Sequence, residues 1–190
     1  MKASLSGISR QPFLRYDFTV RVDDTGAVQL DMDGSIRENV TFLPRLGFEF
    51  ALPEKDMFFR YYGNGPMESY CDLCHAGAVG LYESSAEKEY VPYVRPQEHG
   101  NHTAVRMVEI GKFRFEADKP FDCNVSAYSV QALDAAEHTD ELLKDGKTHL
   151  RIDYKVSGIG SNSCGPVLRE KYRPEEKKIK FSFKVMLNVI

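Results

Sequence analysis

The sequence predicts an all-β fold, an antiparallel sandwich or barrel-like pair of sheets, and two observations lead to this class. Apolar and polar residues alternate with a period of two along several stretches, which is the pattern of a strand with one buried face. Only one stretch of the 190 residues is typical of a helix. A composition of 42% hydrophobic and 28% charged residues fits a globular domain that buries a core.

Three stretches alternate most clearly, and their apolar residues are Leu14, Tyr16, Phe18, Val20 and Val22, then Leu150, Ile152, Tyr154 and Val156, then Ile179, Phe181, Phe183, Val185, Leu187 and Val189. We expect these side chains to face the core and the polar residues between them to face solvent. Shorter strands are predicted near residues 27–32, 47–51, 57–62, 104–110, 112–117 and 121–126. Asp24-Thr25-Gly26 and Asp145-Gly146 are typical of hairpin turns.

One helical segment is predicted near residues 129–143, because this stretch is rich in Ala, Leu and Glu and follows Ser129, a good N-cap. We expect one or two turns there. Residues 62–103 have weak periodicity and many Gly, Pro, Asn and His residues. This composition predicts a long irregular segment, which in a compact β domain is usually a functional or interface loop.

Charge and hydropathy exclude several classes of partner. The net charge of −3 leaves no broad basic field for nucleic acid or anionic lipid. No apolar run approaches the roughly 20 residues that cross a membrane, and the first residues lack the apolar core of a signal peptide. Four cysteines are too few for a disulfide framework. Their number favours a cytoplasmic location over a periplasmic one and leaves the compartment open.

The stretch ESYCDLCHAG contains Cys71, Cys74 and His75, a C-x-x-C-H pattern that can mark haem attachment or half of a zinc site. A haem site needs a second axial ligand and an apolar pocket. A structural zinc site needs a second pair of ligands at close spacing. Cys123 and Cys164 each lie far along the chain from any other cysteine. We therefore expect no haem and no metal here, only two small, partly buried thiols in a loop.

Two other stretches could contribute to a site. Glu98, His99 and His102 place a carboxylate beside two imidazoles, which suits a metal or acid–base chemistry but occurs more often as a polar surface loop. We keep these three as secondary candidates. Residues 157–166, SGIGSNSCGP, form a Gly- and Ser-rich loop after a strong strand. From composition, it is equally a simple connection or a loop that reaches into a ligand site.

Five stretches together resemble the C-terminal region, the small chain or fifth domain, of glycoside hydrolase family 2 β-galactosidases. They occur in the family's order and cover roughly residues 30–190, whereas residues 1–40 match less clearly. The stretches are LPRLGFEFALP at 43–53, YYGNGPMESYCD at 61–72, YVPYVRPQEHGNHTAVRMVEI at 90–110, FDCNVSAYSVQALDAAEHTDEL at 121–142 and DYKVSGIGSNSCGP at 153–166.

The resemblance implies an antiparallel supersandwich related in shape to galactose mutarotases. Residues 1–190 would be a single domain whose N-terminal part is truncated. The intact enzyme would hydrolyse terminal β-D-galactosides by a retaining mechanism with two carboxylates. In the family, a preceding TIM barrel carries both carboxylates, so no catalytic residue is expected here and the chain alone should be inactive. Mg and Na ions would be bound by other domains, the preceding barrel and sandwich domains would be partners, and the intact enzyme would be a homo-oligomer.

The resemblance also assigns a role to the loop GIGSNSCGP. Family members with a tryptophan in this loop use its ring as a platform for the sugar, and Cys164 occupies the corresponding position here. Asn162, Ser163 and Cys164 would then line the cleft, with a shallower site for the aglycone. Cys71 and Cys74 fall on ordinary loop positions of the family.

Two alternatives remain open. One is a stand-alone carbohydrate-binding or aldose 1-epimerase-like sandwich that uses a histidine and a carboxylate among Glu98, His99 and His102. The other is a purely structural domain that binds no sugar unaided.

Overall fold

The computed structural model describes residues 1–159 and 166–187, and within them the chain forms antiparallel strands and one short helix. The strands are β1 (Lys2–Leu5), β2 (Leu14–Val22), β3 (Val28–Ile36), β4 (Arg45–Leu52), β5 (Phe58–Gly65), β6 (Ala78–Ser85), β7 (Asn101–Ile110), β8 (Phe113–Ser126), β9 (Thr148–Val156) and β10 (Lys178–Leu187). The helix α1 spans Val130–Ala135, and 3₁₀ turns occupy Thr139–Glu141 and Glu170–Tyr172. The predicted all-β class is confirmed.

Strand β8 is the branch point of the sheet. The hydrogen-bonded order is β1-β2-β3-β10-β8-β7-β5-β6, while β9 pairs with both β8 and β4. One edge of β8 pairs with β10 over residues 113–116 and with β9 over residues 122–126. The sheet therefore divides along this edge, and the β9–β4 pair leaves the plane of the longer sheet.

The β9–β4 pair packs across the longer sheet through aromatic side chains. The ring of Phe48 on β4 lies 5.4 Å from that of Phe18 on β2 and 5.5 Å from that of Phe183 on β10. Phe50 lies 5.2 Å from Phe115 on β8. Because β4 pairs with β9 and not with β2, β8 or β10, these contacts are made face to face, as in a sandwich. The core lies between these two layers.

Most predicted strands are present, with differences at the weaker ones. The two predictions at 112–117 and 121–126 are halves of β8, which continues through Lys119 and Pro120. Two strands, β1 and β6, were not predicted, and the segment 62–103 is less irregular than expected because β6 lies inside it. β6 is an edge strand whose apolar residues Val79 and Leu81 are exposed, so its pattern does not mark a buried face.

The expectation of one buried face is wrong for two of the strong strands. On β9, the polar residues His149, Arg151 and Asp153 are buried as well, because this strand is covered on both faces. On β2, Val20 and Val22 are 52% and 66% exposed, because the outer end of this strand extends beyond the packed layer.

The local signals for the helix and the turns are mostly confirmed. The Ser129 hydroxyl accepts a hydrogen bond of 3.1 Å from the Ala132 amide, which caps α1. Gly26 has a φ of 81° in the tight turn between β2 and β3. Gly146 has a φ of 80°, but it precedes β9 in a longer connection and joins no hairpin. Among the described residues, no helix is long and apolar enough to span a membrane.

Candidate functional site

Segment 61–72, which runs from β5 into the following loop, holds the loop that leads into β7. A cis peptide bond joins Gly65 to Pro66. The Glu68 carboxylate then accepts a hydrogen bond of 2.8 Å from the Gly100 amide and a second one from the Tyr93 hydroxyl. The Ser69 amide donates to the Asn101 carbonyl at 2.6 Å. Two of the stretches that carry the family resemblance therefore meet here.

The same segment also holds the root of the Gly- and Ser-rich loop. The Ile159 amide donates to the Asp72 carboxylate at 3.1 Å, and the Gly158 amide donates to the Tyr172 carbonyl at 3.0 Å. A Cβ atom on Gly158 would lie 2.5 Å from Asp72 Cγ, so Asp72 can approach the backbone this closely only because residue 158 is glycine. Residues 157–159 are thus fixed from two sides where the loop begins.

A network of charged side chains links β4, β9 and the loop before β7. Arg45 on β4 binds the carboxylate of Asp153 on β9 and, at 2.7 Å, that of Glu98. The Asp153 side chain is only 3% exposed, whereas Arg45 and Glu98 are 23% and 27% exposed. A Cβ atom on Gly47 would lie 2.3 Å from an oxygen of Asp153, so this pair also depends on a glycine.

Arg151, a buried arginine on β9, extends this network towards β8. Arg151 donates to the side chain of Asn124 and, at 3.1 Å, contacts the Glu49 carboxylate. Burial opposes the charge on Arg45, but the carboxylates of Asp153 and Glu98 outweigh it and raise the pKa of the Arg45 guanidinium. Such a group remains a cation, and its main action is to hold the three segments together.

The two histidines among the secondary candidates are buried and point to different partners. His99 is 2% exposed, and its Nδ1 lies 2.8 Å from the Gln97 carbonyl oxygen. His102 is fully buried, stacks on the Tyr61 ring at 4.2 Å and lies 2.9 Å from a Glu89 carboxylate oxygen. Glu98 instead binds Arg45. The structure therefore does not bring Glu98, His99 and His102 together around one point.

The cysteines of the C-x-x-C-H stretch are partly buried free thiols, as the sequence predicts. Cys71 Sγ lies 3.4 Å from the Tyr172 carbonyl oxygen, and burial raises the pKa of its thiol to about 11. Cys74 Sγ lies 3.8 Å from the Cys71 carbonyl oxygen. Over residues 1–159 and 166–187, no group of three or more His, Cys, Asp and Glu side chains could hold a metal ion. That the chain binds neither haem nor zinc stays a prediction.

Comparison with known proteins identifies the family. The sequence profile described as "Beta galactosidase small chain" matches residues 2–187. The chain belongs to the β-galactosidase small-chain family. The resemblance seen in the sequence is confirmed, and the match reaches further towards the N-terminus than the five stretches do.

Several curated proteins that are similar to this chain are much longer than it is. It is 34% identical to a β-galactosidase of Actinobacillus pleuropneumoniae over 99% of its own length and 19% of that protein. It is 36% identical to a β-galactosidase of Staphylococcus xylosus over 90% of its length and 18% of that protein. A β-galactosidase of Kluyveromyces lactis is 36% identical over 74% of this chain and 14% of its own. The chain thus spans less than a fifth of the length of these relatives.

Asn162, Ser163 and Cys164 lie outside the described residues, and their role as a cleft wall stays a prediction. Sequence reasoning missed Arg45, Arg151 and Asp153. The sequence contains little indication of Arg151 and Asp153, because on a strand with one buried face both positions would point to solvent.

Proposed function

We propose that this chain forms the C-terminal β-sandwich of a family 2 β-galactosidase that hydrolyses terminal β-D-galactosides. The observation that carries the proposal is the small-chain family match, which covers nearly the whole chain, while the chain spans only 14% to 19% of three β-galactosidase relatives. Residues 1–190 would be one domain, and the rest of the enzyme would come from other domains.

The catalytic carboxylates belong to those other domains in this proposal. A retaining glycosidase needs an acid and a nucleophile about 5–5.5 Å apart. A TIM barrel that carries them takes roughly 250 residues, whereas this chain has 190 and its described part is antiparallel β structure. We therefore expect the preceding TIM-barrel and sandwich domains as partners, Mg and Na ions bound outside this chain, and a homo-oligomer as the intact enzyme.

We further propose that the loop from Gly158 to Pro166 lines one wall of the cleft through Asn162, Ser163 and Cys164. Support comes from the root of the loop, where Asp72 and the Tyr172 carbonyl fix residues 158 and 159. A loop that contacts substrate must be held in place by its surroundings, since small misplacements cost affinity and rate.

Hydrolysis of o-nitrophenyl β-D-galactoside tests the activity. We expect the protein, expressed as its gene encodes it and together with any separately encoded large chain, to release nitrophenol. The matched control is o-nitrophenyl β-D-glucoside, which we expect to be a much poorer substrate. No turnover of the galactoside above the uncatalysed rate would refute the proposed function.

The substitution Cys164→Trp tests the cleft wall. A tryptophan should restore a stacking surface worth on the order of 1 kcal/mol beyond buried area, or roughly fivefold in affinity. We expect a lower KM or faster transfer to sugar acceptors, with the melting temperature largely kept and Cys164→Ala as the control. If Cys164 lies in the core instead, the tryptophan would overpack it at a cost of about 1–3 kcal/mol. A large fall in melting temperature with unchanged acceptor kinetics would contradict the proposal.

The geometry gives no support to an epimerase. Such an enzyme needs an acid and a base that reach the sugar. His99 and His102 are 2% and 0% exposed, and His102 is enclosed by Glu89 and Tyr61.

A further inference from the structure

The face of the longer sheet that carries the core is not covered along its whole length. On β10, Phe181 and Phe183 point to the core and are buried, whereas Leu187, on the same face, is 59% exposed. On β2, the exposed Val20 and Val22 share a face with residues that pack in the core. The second layer of the sandwich therefore ends before the apolar face of these strands does.

The register of the strands brings their uncovered ends together. Val20 lies opposite Leu30 of β3, and Val22 lies opposite Val28. Val28 in turn lies opposite Val185 of β10. The uncovered residues form one surface, which we call the open corner and which consists of Val20, Val22, Val28, Leu30, Val185 and Leu187. Because Leu30 and Val185 also pack against the core, the open corner is a continuation of the core.

The course of β4 explains why this corner is uncovered. Phe48 of β4 packs on Phe18 of β2, and Phe50 of β4 packs on Phe115 of β8. β4 therefore crosses the longer sheet obliquely, from β2 towards β8, and the ends of β2 and β3 lie outside its path.

The free edge of β4 faces the open corner. β9 lies on the other side of β4, because its Tyr154 packs on Phe181, at the covered end of β10. Within residues 1–159 and 166–187, β4 pairs with β9 only. Its sequence, RLGFEFAL, contains neither lysine nor proline, which often protect a free edge from pairing. A strand added to this edge would lie over the open corner, since neighbouring strands are about 4.8 Å apart.

The two faces of the sheet differ sharply at this end. The outer face carries Thr19, the ion pair between Arg21 and Asp31, and Ser182, which donates a hydrogen bond to Asp31. The open corner on the inner face consists of valine and leucine only. A contiguous apolar surface of this kind marks a protein interface, and it suits an apolar segment of a protein rather than a charged or sugar ligand.

We propose that an apolar β-strand from another part of the intact protein pairs with the free edge of β4 and covers the open corner. This rests on the proposed function, in which other domains accompany this chain. The chain matches only 14% to 19% of three β-galactosidase relatives, so most of each relative lies outside the matched region. A second copy of this chain is the competing occupant, and the test separates the two.

Thiol labelling of Val20→Cys tests whether the corner is covered. The protein is used as its gene encodes it, together with any separately encoded large chain. The matched control is Thr19→Cys, because Thr19 is the exposed neighbour on the opposite face of β2. Iodoacetamide is the reagent, and peptide mass spectrometry separates the new site from the four native cysteines. We expect Val20→Cys to react at least about tenfold more slowly than Thr19→Cys, because a covered site must open before it reacts. Equal rates would overturn the proposal.

Hydrogen exchange over residues 45–52 tests the pairing of β4. In an antiparallel strand, about half of the amides point to each neighbour. We expect nearly all amides of this segment to be protected in the intact protein. Exchange of about half of them at the rate of an exposed loop would show that the edge is free, and would overturn the proposal.

The molecular mass of the labelled particle, measured by light scattering, identifies the occupant. Protection in a particle that contains only copies of residues 1–190 would show that a second copy covers the corner, which would also overturn the proposal. Hydrolysis of o-nitrophenyl β-D-galactoside is measured on the same samples. Hydrolysis with equal labelling rates would refute the covered corner alone, whereas protection without hydrolysis would refute the galactosidase alone.

Discussion

At the scale of single residues, two carboxylates that the alternation pattern predicts to face solvent instead form buried contacts that hold the structure together. Asp122 and Asp153 occupy polar positions of β8 and β9, yet Asp122 holds the Val156 amide and Asp153 holds Arg45. Each carboxylate fits in its place because a neighbouring residue leaves space for it or donates a hydrogen bond to it. Gly47 makes the room beside Asp153, and the backbone supplies the donor for Asp122.

Burial, opposed by the Val156 amide, raises the pKa of the Asp122 carboxyl to about 7, and this predicts how stability depends on pH. The folded protein holds this proton up to about pH 7, whereas the unfolded chain releases it near the ordinary pKa of 3.8. The free energy of unfolding should therefore fall as pH rises between these two values, by at most about 1.4 kcal/mol per pH unit. The loss of stability that comes from ionising Asp122 in the folded protein is fully present above pH 7 and absent below pH 3.8, the ordinary pKa of the unfolded chain.

Melting temperatures of the wild type and Asp122→Asn at pH 5 and pH 8 measure this effect. We expect the variant to gain stability relative to the wild type on going from pH 5 to pH 8, because its amide does not titrate. A difference between the two proteins that stays constant with pH would contradict a proton on Asp122.

At the scale of elements, most strands were predictable from the sequence, whereas β1, β6 and the pairing of the strands were not. The alternation at 14–22, 150–156 and 179–187 correctly marks the positions of β2, β9 and β10. Alternation carries no information about what covers the other face, so the burial of Arg151 and Asp153 on β9 was missed. The motif at 61–72 and the root of the loop at 157–159 are also more than 80 residues apart in sequence, and only the fold shows that Asp72 joins them.

The network around Arg45 predicts a large loss of stability in Arg45→Leu. This change leaves the Asp153 carboxylate, whose side chain is only 3% exposed, without its partner. Removing one member of a buried ion pair typically costs about 3–5 kcal/mol. The matched control is Arg21→Leu, which breaks an exposed pair with Asp31 and should cost about 0–1 kcal/mol.

Chemical denaturation with urea measures both variants. Similar losses in Arg45→Leu and Arg21→Leu would show that the link between β4 and β9 contributes no more than a surface ion pair.

At the scale of the whole molecule, the chain has the length of one domain. It belongs to the β-galactosidase small-chain family, and a relative such as the β-galactosidase of Actinobacillus pleuropneumoniae is much longer. The motifs of this chain lie far apart in sequence, yet Asp72, Glu68 and Arg45 hold the loops that follow β6 and β9. A domain built in this way can present a loop to a neighbouring domain. In the enzyme that we propose, the cleft would form only together with the other domains.

Residues 1–190 expressed alone should not hydrolyse o-nitrophenyl β-D-galactoside. The proposed enzyme takes both carboxylates from a barrel that these residues do not contain. The assay is run after a second purification step, with a commercial β-galactosidase as the positive control. Turnover that persists at constant specific activity through repurification would show that a catalytic pair lies within this chain.

The proposed cleft wall depends most on the loop root, where the Tyr172 carbonyl holds Gly158 and the Asp72 carboxylate holds Ile159. The decisive measurement is kcat/KM for o-nitrophenyl β-D-galactoside in the protein as encoded, compared with Gly158→Ala. The new Cβ would lie 2.5 Å from Asp72 Cγ, so either the Asp72 side chain or the root must move, and either movement disturbs the hydrogen bond between Asp72 and Ile159. A matched control is Gly7→Ala, where the nearest side-chain atom lies at 3.5 Å. We predict at least a tenfold fall in kcat/KM for Gly158→Ala, about 1.4 kcal/mol or more in the barrier, with a melting temperature close to that of Gly7→Ala. Unchanged kcat/KM in Gly158→Ala would contradict a role for this loop in the sugar site.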